Sequence, residues 1–467
     1  MRVGVVGAGI AGLSATKVLR SVGHDVVTFD RTPDVGGVWS TTRHYPGLTT
    51  QNTRHTYTFT DYDPPSSWPD FPSAEQWHSH IAGYVERFDL AASFRLRTGI
   101  AHAVPTAGGW RLTTEEGEKH DIDHLVVANG VFSAPHVPQW PGADAHAGSG
   151  GVVKAPSQRL TLDEARGRHV IVVGYGKSAG DVAVSLSEVA ESLTIVARRL
   201  LWKGSKRLLG RDAEDVAQTR ITETMFAHPG AFRPSWSLVR RLHLREQQLG
   251  DVGLVPDGRF EDIGQSTSSL MSDGFIDAVR SGDIVVKRDR SIVSLGAGPK
   301  AHLNDGSVIP ADLVVAATGF EQDVPFLDAT VNIRDENGNF DLFRRILPHD
   351  VRNLTFCGYN SSLFSTINAE IGAVWTAAHL AGVLSLPPVG DRRKQVAREL
   401  EYMKVRTKGK HARGTSVIPF SIRNIDEMLA DLGVPLSRRK RLAQCGRRVL
   451  PRDYRGAIER VLRDIVA

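Results

Sequence analysis

Cysteine is nearly absent from this sequence, with only Cys357 and Cys445 among 467 residues. Two distant cysteines give no disulfide framework, which argues against a small secreted scaffold and fits a reducing cytoplasm. Their separation also excludes a redox-active pair of neighbouring thiols. Hydrophobic residues make up 41% of the chain, so we expect a packed core spread over two or three domains.

Long apolar runs are missing as well. No stretch reaches the roughly 18 residues needed to span a membrane, and a strand that begins at Arg2 leaves no export segment before it. The histidines show no spacing typical of metal ligands, and we interpret His78 and His80 as surface or packing residues. We therefore expect no membrane span, no metal site and a cytoplasmic location.

The charge is weakly basic, with a formal net charge of +5 and a pI of about 9.2. Positive residues cluster at 404–413 and 438–441. Such runs are most often solvated surface, and a nucleic-acid patch or a docking site for an acidic partner are the alternatives. Because no nucleic-acid-binding motif accompanies them, we expect no nucleic-acid partner.

The first glycine-rich turn lies at the start of the chain. Residues 3–6 have the composition of a buried parallel strand, and Gly7, Gly9 and Gly12 follow with the spacing of a dinucleotide-binding fingerprint. A helical face and a second strand come next. That strand ends about 20 residues further on at Asp30, where a carboxylate can bind an adenosine ribose. This succession predicts a site for FAD or NAD.

A second turn repeats the pattern in the middle of the chain. Residues 169–173 predict a strand, Gly174 and Gly176 form the turn, and Ser178 and Ala179 open the next helix. An alanine stands where a third glycine is common, and the fingerprint tolerates this exchange.

The strand after this second turn ends differently from its counterpart. Residues 193–197 are followed by Arg198 and Arg199 instead of an acid. Guanidinium groups bind a phosphate on the ribose, which a carboxylate would repel. The second site therefore suits NADPH, and two ordinary surface arginines are the alternative.

Two near copies of one stretch bracket the second turn. HLVVANG at 124–130 and DLVVAATG at 312–319 each read as a buried strand that ends in a small-residue turn. They predict an α/β fold with two dinucleotide-binding, Rossmann-like domains, the second inserted into the first. The predicted boundaries are 1–150 and 310–467 for the first domain with a C-terminal helical extension, and 151–309 for the inserted domain.

Seven motifs occur in a fixed order along most of the chain: GAGIAG, DVGGVW, YPGLTTQN, GYGKSAGD, VARR, AATGF and GYNSSLFSTINAEIGAVW. Together they resemble the flavin-containing monooxygenase family, with its related N-hydroxylases and Baeyer–Villiger enzymes. The resemblance implies FAD in the first domain and NADPH in the inserted one. It also implies a flavin hydroperoxide, formed with O2, that passes one oxygen atom to a soft nucleophile on a small-molecule substrate.

The matching motifs imply further cofactor-binding residues. These are Gly37 and Trp39 in DVGGVW, Lys177 in the second turn, and Thr318 and Gly319 in AATGF.

The stretch TQNTRHTY matches the one that carries the family's active-site asparagine. The resemblance implies that Asn52 lies over the flavin as a catalytic residue, and a turn-capping asparagine is the alternative. Six aromatic residues between positions 57 and 77 are interpreted as core more than pocket.

Two departures from the family pattern bear on the reaction. The linker signature keeps Gly151 but has Ser149 for phenylalanine and Ala155 for histidine, which leaves the steering of NADPH open. The Baeyer–Villiger aspartate falls on Thr50 or Gln51, and the arginine falls within 264–270, a stretch without arginine.

These departures favour oxygenation of nitrogen or sulfur. A Baeyer–Villiger enzyme, an uncoupled NADPH oxidase and a redox-sensing binding protein are the alternatives, and a homodimer is compatible with each.

Overall fold

The computed structural model describes residues 1–208, 210–265, 270–407 and 413–467. The α-helices are α1 (Ile10–Ser21), α2 (Ala74–Arg87), α3 (Ala143–Gly148), α4 (Lys177–Ser187), α5 (Glu214–Ala217), α6 (Arg220–Ala227), α7 (Arg233–Gln247), α8 (Phe275–Ser281), α9 (Ser365–Leu380), α10 (Val389–Thr407), α11 (Ser421–Asp431), α12 (Arg438–Gly446) and α13 (Arg455–Val466). Short 3-10 turns cover Gly37–Trp39, Ala91–Ser93, Phe260–Gln265 and Pro451–Asp453.

The strands are β1 (Arg2–Val6), β2 (Asp25–Phe29), β3 (Phe94–Arg95), β4 (Ile100–Pro105), β5 (Trp110–Thr114), β6 (Lys119–Ile122), β7 (His124–Val127), β8 (Ala134–Pro135), β9 (Val152–Lys154), β10 (His169–Val173), β11 (Ser192–Ala197), β12 (Arg207–Leu208), β13 (Arg211–Asp212), β14 (Val285–Arg288), β15 (Ile292–Gly296), β16 (Lys300–Leu303), β17 (Val308–Pro310), β18 (Leu313–Ala316), β19 (Phe320–Glu321), β20 (Leu342–Phe343), β21 (Leu347–Pro348) and β22 (Leu354–Phe356).

Two parallel sheets of five strands form the centre of the fold. The first has the order β22-β7-β1-β2-β3 and the second the order β9-β18-β10-β11-β14. In each sheet the strand before a glycine-rich turn is central, which is the doubly wound arrangement that places ligands at the carboxyl ends of the strands. The predicted α/β fold with an inserted second Rossmann-like unit is confirmed, because β7 and β22 of the first sheet flank the whole second sheet in sequence.

The two near-copy stretches occupy equivalent places, one in each sheet. Strand β7 pairs with β1, and β18 pairs with β10. The predicted boundary at residue 309 is therefore too early, since β18 still belongs to the second sheet. We place the return to the first unit after Ala316, and the remaining domain limits stay predictions.

The chain crosses between the two units along a pair of short strands. Strand β8 leaves the first unit and β19 returns to it, and the two pair in antiparallel fashion. The two crossings therefore lie side by side.

Helix packing follows the apolar faces of the helices. One face of α4 is buried through Ala179, Val182, Ala183 and Leu186. Helix α9 is buried almost all round, as expected for a central helix, and its apolar residues share one core with those of α1, α11 and α13.

The aromatic residues of 57–77 contribute to a core beside α2. Phe59 and Trp77 are fully buried there, and His80 is buried and stacks on Tyr62 with ring centroids 4.5 Å apart. His78 lies near the surface, with its Nε2 atom 3.5 Å from an oxygen of Asp34.

In the described ranges, no helix is both long and apolar enough to cross a membrane. The same ranges hold no group of three or more side chains placed to bind a metal ion.

Candidate dinucleotide and oxygenation site

The first turn brings backbone atoms unusually close together. Gly7 has a φ of +115°, and a Cβ atom on it would lie 2.3 Å from the carbonyl oxygen of Ala128. A Cβ on Gly12 would lie 1.8 Å from the carbonyl oxygen of Gly7. Gly9 is the N-cap of α1 and no side chain caps this helix, so its first N–H groups can bind a pyrophosphate.

Asp30 lies directly beside this turn at the end of β2. Its Oδ2 atom accepts a hydrogen bond from the Ala8 N–H at 2.6 Å. Its Oδ1 atom accepts from the N–H and the hydroxyl of Thr32 at 2.8 and 2.7 Å. A carboxylate offers about four acceptor sites, so capacity remains for a ribose hydroxyl.

Gly37 and Trp39 share a 3-10 turn but face different surroundings. A Cβ on Gly37 would lie 2.9 Å from the Cα of Gly9, which places Gly37 against the first turn. Trp39 is buried, and its Nε1–H donates to the Tyr57 hydroxyl at 3.0 Å. The structure thus brings Gly37 to the predicted cofactor site and places Trp39 in the adjoining aromatic core.

The second turn has the geometry of the first. Gly174 has a φ of +121°, and a Cβ on it would lie 2.4 Å from the carbonyl oxygen of Ala317. Gly176 is the N-cap of α4, again without a side-chain cap. Ala179 is buried at the position of the third glycine.

Lys177 is held by its own helix. Its ammonium binds both carboxylate oxygens of Asp181, and Ser272 donates to the same carboxylate at 2.6 Å. Burial lowers the pKa of Lys177, and the charge of Asp181 opposes that effect. The predicted contact between Lys177 and a cofactor phosphate remains a prediction, and it requires Lys177 to share its charge with Asp181.

Arg198 and Arg199 follow β11 and are both exposed. Within the described residues neither guanidinium has an ion-pair or hydrogen-bond partner. Two unpaired cations at this edge of the sheet can bind a ribose phosphate.

The loop between β2 and α2 packs against α4, the helix that follows the second glycine-rich turn. The hydroxyl oxygens of Tyr45 and Ser178 are 3.0 Å apart, and a Cβ on Gly47 would lie 2.8 Å from the carbonyl oxygen of Asp181. Burial raises the pKa of Tyr45, so its phenol stays protonated. This contact joins the two predicted nucleotide sites into one junction.

Asn52 belongs to the same segment between β2 and α2 as Tyr45 and is only 7% exposed. Its Nδ2 donates to the carbonyl oxygen of Leu363, just before α9, at 2.8 Å, and to the Thr56 hydroxyl at 3.5 Å. Among the described residues no group donates to its Oδ1 atom. The structure thus brings TQNTRHTY together with the distant motif that leads into α9.

Thr318 and Gly319 lie at the crossing between the units. The His136 N–H donates to the carbonyl oxygen of Gly319 at 2.9 Å, and the Thr318 hydroxyl donates to that of His136. Their contact with a cofactor stays a prediction.

The altered linker is satisfied within the second unit. Ala155 is buried and its N–H donates to the Gln158 side chain at 2.7 Å, while Lys154 binds Glu164 at 2.5 Å. The side chains of Gln158 and Lys154 are both bonded within the second unit. Neither is free to replace a hydrogen bond from a histidine at position 155 to the first unit.

The sequence did not single out the most heavily bonded carboxylate near Asn52. Glu214, in α5, accepts hydrogen bonds from Thr53 and Thr56. No local pattern connects positions 161 residues apart, so only the folded chain reveals this contact. Tyr45 lies within the motif YPGLTTQN, but its position in the sequence does not indicate Ser178 as its hydrogen-bond partner.

Two uncapped helix N-termini, one carboxylate and one pair of free arginines fit two different dinucleotides at a shared junction. This combination is the one expected of an oxidoreductase with two nucleotide cofactors. A family model described as flavin-binding monooxygenase-like matches residues 1–436, and the chain belongs to this family. The protein is accordingly a flavin-dependent monooxygenase that uses FAD and NADPH. The expected Baeyer–Villiger arginine position, 264–270, lies largely outside the described residues.

Curated relatives are similar to this chain in sequence, and solved structures are similar to it in fold. The chain is 26% identical over 419 residues to flavin-containing monooxygenase 1 of Canis lupus familiaris, covering 85% of this chain and 76% of the relative. The S-allyl-L-cysteine S-oxygenase of Allium sativum superposes with a TM-score of 0.66 at 17% identity, over 100% and 98% of the two chains. Cyclohexanone monooxygenase of Rhodococcus sp. Phi1, bound to NADP+, gives 0.69 at 18% identity over 100% and 98%.

Proposed function

We propose that this enzyme transfers one oxygen atom from O2 to a nitrogen or sulfur atom of a small molecule. The observation that carries the proposal is the surroundings of Asn52. Its hydrogen-bond partners, the Leu363 carbonyl and the Thr56 hydroxyl, are neutral, and the carboxylate of Glu214 lies directly behind Thr56.

The cofactors are assigned to the turns by the groups available there. The turn from Gly7 to Gly12 with Asp30 would hold FAD, and the turn from Gly174 to Ala179 with Arg198 and Arg199 would hold NADPH. When bound, FAD supplies the oxygen-activating chemistry and NADPH the reducing equivalents. The Oδ1 atom of Asn52 can accept a hydrogen bond from a substrate, while its Nδ2 atom fixes the orientation of the amide.

A ketone substrate would place a different demand on this site. Its oxygenation builds negative charge on the former carbonyl oxygen, which a positioned cation must stabilise. The hydrogen-bond network of Asn52 leads through Thr56 to the Glu214 carboxylate, whose negative charge disfavours an oxyanion. An amine or thioether develops no oxyanion of its own.

Two alternative reactions remain open to experiment. The likeness to cyclohexanone monooxygenase keeps a Baeyer–Villiger reaction as a second candidate, although at 18% identity it concerns the fold. The linker around Ala155 forms its hydrogen bonds within the second unit, which keeps an NADPH oxidase as a third candidate.

Product mass analysis on matched amine, thioether and ketone panels tests the proposal, with NADPH and O2 consumption measured in parallel. We expect N-oxides or S-oxides in nearly constant ratio to NADPH. An ester formed from a ketone as fast as the best oxide would favour the Baeyer–Villiger reaction. NADPH consumption with peroxide alone would favour the oxidase, and no consumption would reject all three.

A further inference from the structure

The carboxylate of Glu214 accepts several hydrogen bonds, most of them from the loop of Asn52. It is 6% exposed. One oxygen accepts from the Thr53 N–H at 2.8 Å and from Gln218 at 3.1 Å, and the other accepts from the Thr53 hydroxyl at 2.6 Å. The Thr56 hydroxyl lies 2.9 and 2.8 Å from the two oxygens.

Except for Gln218, these donors belong to the loop of Asn52. Thr53 is the next residue in the chain, and the Thr56 hydroxyl is also the second acceptor of the Asn52 amide. A buried charge is tolerated only where such donors surround it. Loop and carboxylate therefore depend on each other, and the orientation of Asn52 depends on both.

Residues of the C-terminal part of the chain also lie close to Glu214. Arg448 lies 3.1 Å from Asp212, 3.7 Å from Glu214 and 3.3 Å from Asp215. The next residue, Val449, donates its N–H to the carbonyl oxygen of Gln218 at 2.9 Å. Helix α5 of the inserted unit is thus in contact with the C-terminal part of the chain.

We propose that Glu214 is a positioning residue that holds the Asn52 loop in its working geometry and so limits the loss of activated oxygen as hydrogen peroxide. This inference rests on the proposed role of Asn52. Because the carboxylate comes from the inserted unit, the loop of Asn52 in the first unit is supported from the second.

Glu214→Gln keeps the shape of the side chain but replaces one acceptor oxygen with a donor. In the full-length, FAD-loaded protein we expect at least a threefold rise in hydrogen peroxide per NADPH consumed, and at least threefold faster amide exchange in the peptide that contains Thr53. The rate of flavin reduction by NADPH should stay within twofold, because no hydrogen bond joins Glu214 to the turn at Gly174–Gly176.

Matched variants distinguish positioning from general destabilisation. Thr53→Val removes the hydroxyl and should behave like Glu214→Gln, whereas Thr53→Ser keeps it and should behave like the unaltered protein. Asp215→Asn loses the neighbouring carboxylate, which pairs with Arg448 but not with the loop, and should change neither readout.

Two results would overturn the inference. One is unchanged exchange and peroxide yield in both Glu214→Gln and Thr53→Val, and the other is an equal effect of Asp215→Asn. Amide exchange requires no turnover, so this failure is distinct from a failure of the proposed function, which would appear as an unaltered protein that forms no N- or S-oxide.

Discussion

The hydroxyl groups of Tyr45 and Ser178 lie 3.0 Å apart and form a hydrogen bond between the two nucleotide-binding units. Tyr45 belongs to the loop between β2 and α2, and Ser178 lies at the N-terminal end of α4. Because both hydroxyls can donate and accept, the bond persists without a charged group. It connects the loop between β2 and α2 with the start of α4, between the two predicted cofactor sites.

Replacing Tyr45 with phenylalanine should loosen this junction. A buried neutral hydrogen bond contributes about 0.5–1.5 kcal/mol, so we expect flavin reduction at saturating NADPH to slow by roughly 2- to 10-fold. Stopped-flow absorbance under anaerobic conditions measures the rate. Tyr402→Phe, on a partly exposed tyrosine of α10, is the control, and equal rates in both variants would contradict the expectation.

Asn52→Ala should separate oxygen transfer from flavin reduction. Loss of one positioned hydrogen-bonding group near a reacting centre costs about 10²-fold in rate, so product formation should fall by that order. Flavin reduction should change by less than threefold, since no hydrogen bond joins Asn52 to either glycine turn. The exposed Asn332→Ala serves as control. A parallel loss of both rates in Asn52→Ala would instead indicate a structural asparagine.

The parts of the fold that the sequence predicted are those set by local pattern. A strand, a glycine turn and a helix with one apolar face lie within 25 residues of each other at both sites, and both turns have the expected backbone geometry. In α4, Ala179 and Leu186 lie two helical turns apart, because an α-helix repeats every 3.6 residues. The two residues therefore share one face, and both are buried.

Sheet membership and long-range polar contacts were not predictable in this way. The four buried residues of β18 could form a strand in either sheet, and their sequence does not say which. The predicted boundary at residue 309 was wrong because β18 pairs with β10 of the second sheet. The partners Glu214 and Thr53 lie 161 positions apart, and no periodicity connects them. The bond from Lys177 to Asp181 is an exception, because its i,i+4 spacing is visible in the sequence.

Glu370 should make the stability of the protein depend on pH. Burial raises its pKa to about 8, with the Lys17 charge opposing and the Asp61 charge adding to the shift. The folded state thus keeps a proton that the unfolded state has lost, and stability should fall by up to about 1.4 kcal/mol per unit as pH rises from about 5 to 8.

Urea unfolding of the unaltered protein and of Glu370→Gln at several pH values tests this slope. The glutamine keeps an oxygen acceptor for Thr60, whose N–H and hydroxyl both donate to Glu370, but it cannot titrate. We expect the two stability curves to diverge toward alkaline pH in favour of the variant. Parallel curves would mean that Glu370 titrates near its ordinary range.

Replacing Arg198 and Arg199 together with alanine should remove most of the preference for NADPH over NADH. Both guanidinium groups are exposed and unpaired in the described residues, so the phosphate competes with no internal anion. Charge-assisted hydrogen bonds contribute about 1.5–3 kcal/mol, or roughly 10- to 100-fold in binding. The affinity for NADPH should fall by this factor and that for NADH should hardly change. Arg166→Ala with Arg168→Ala removes the same charge before β10, at the opposite end of the sheet, and controls for net charge. Equal use of both nucleotides by the unaltered protein, or equal losses in the two double variants, would contradict the assignment.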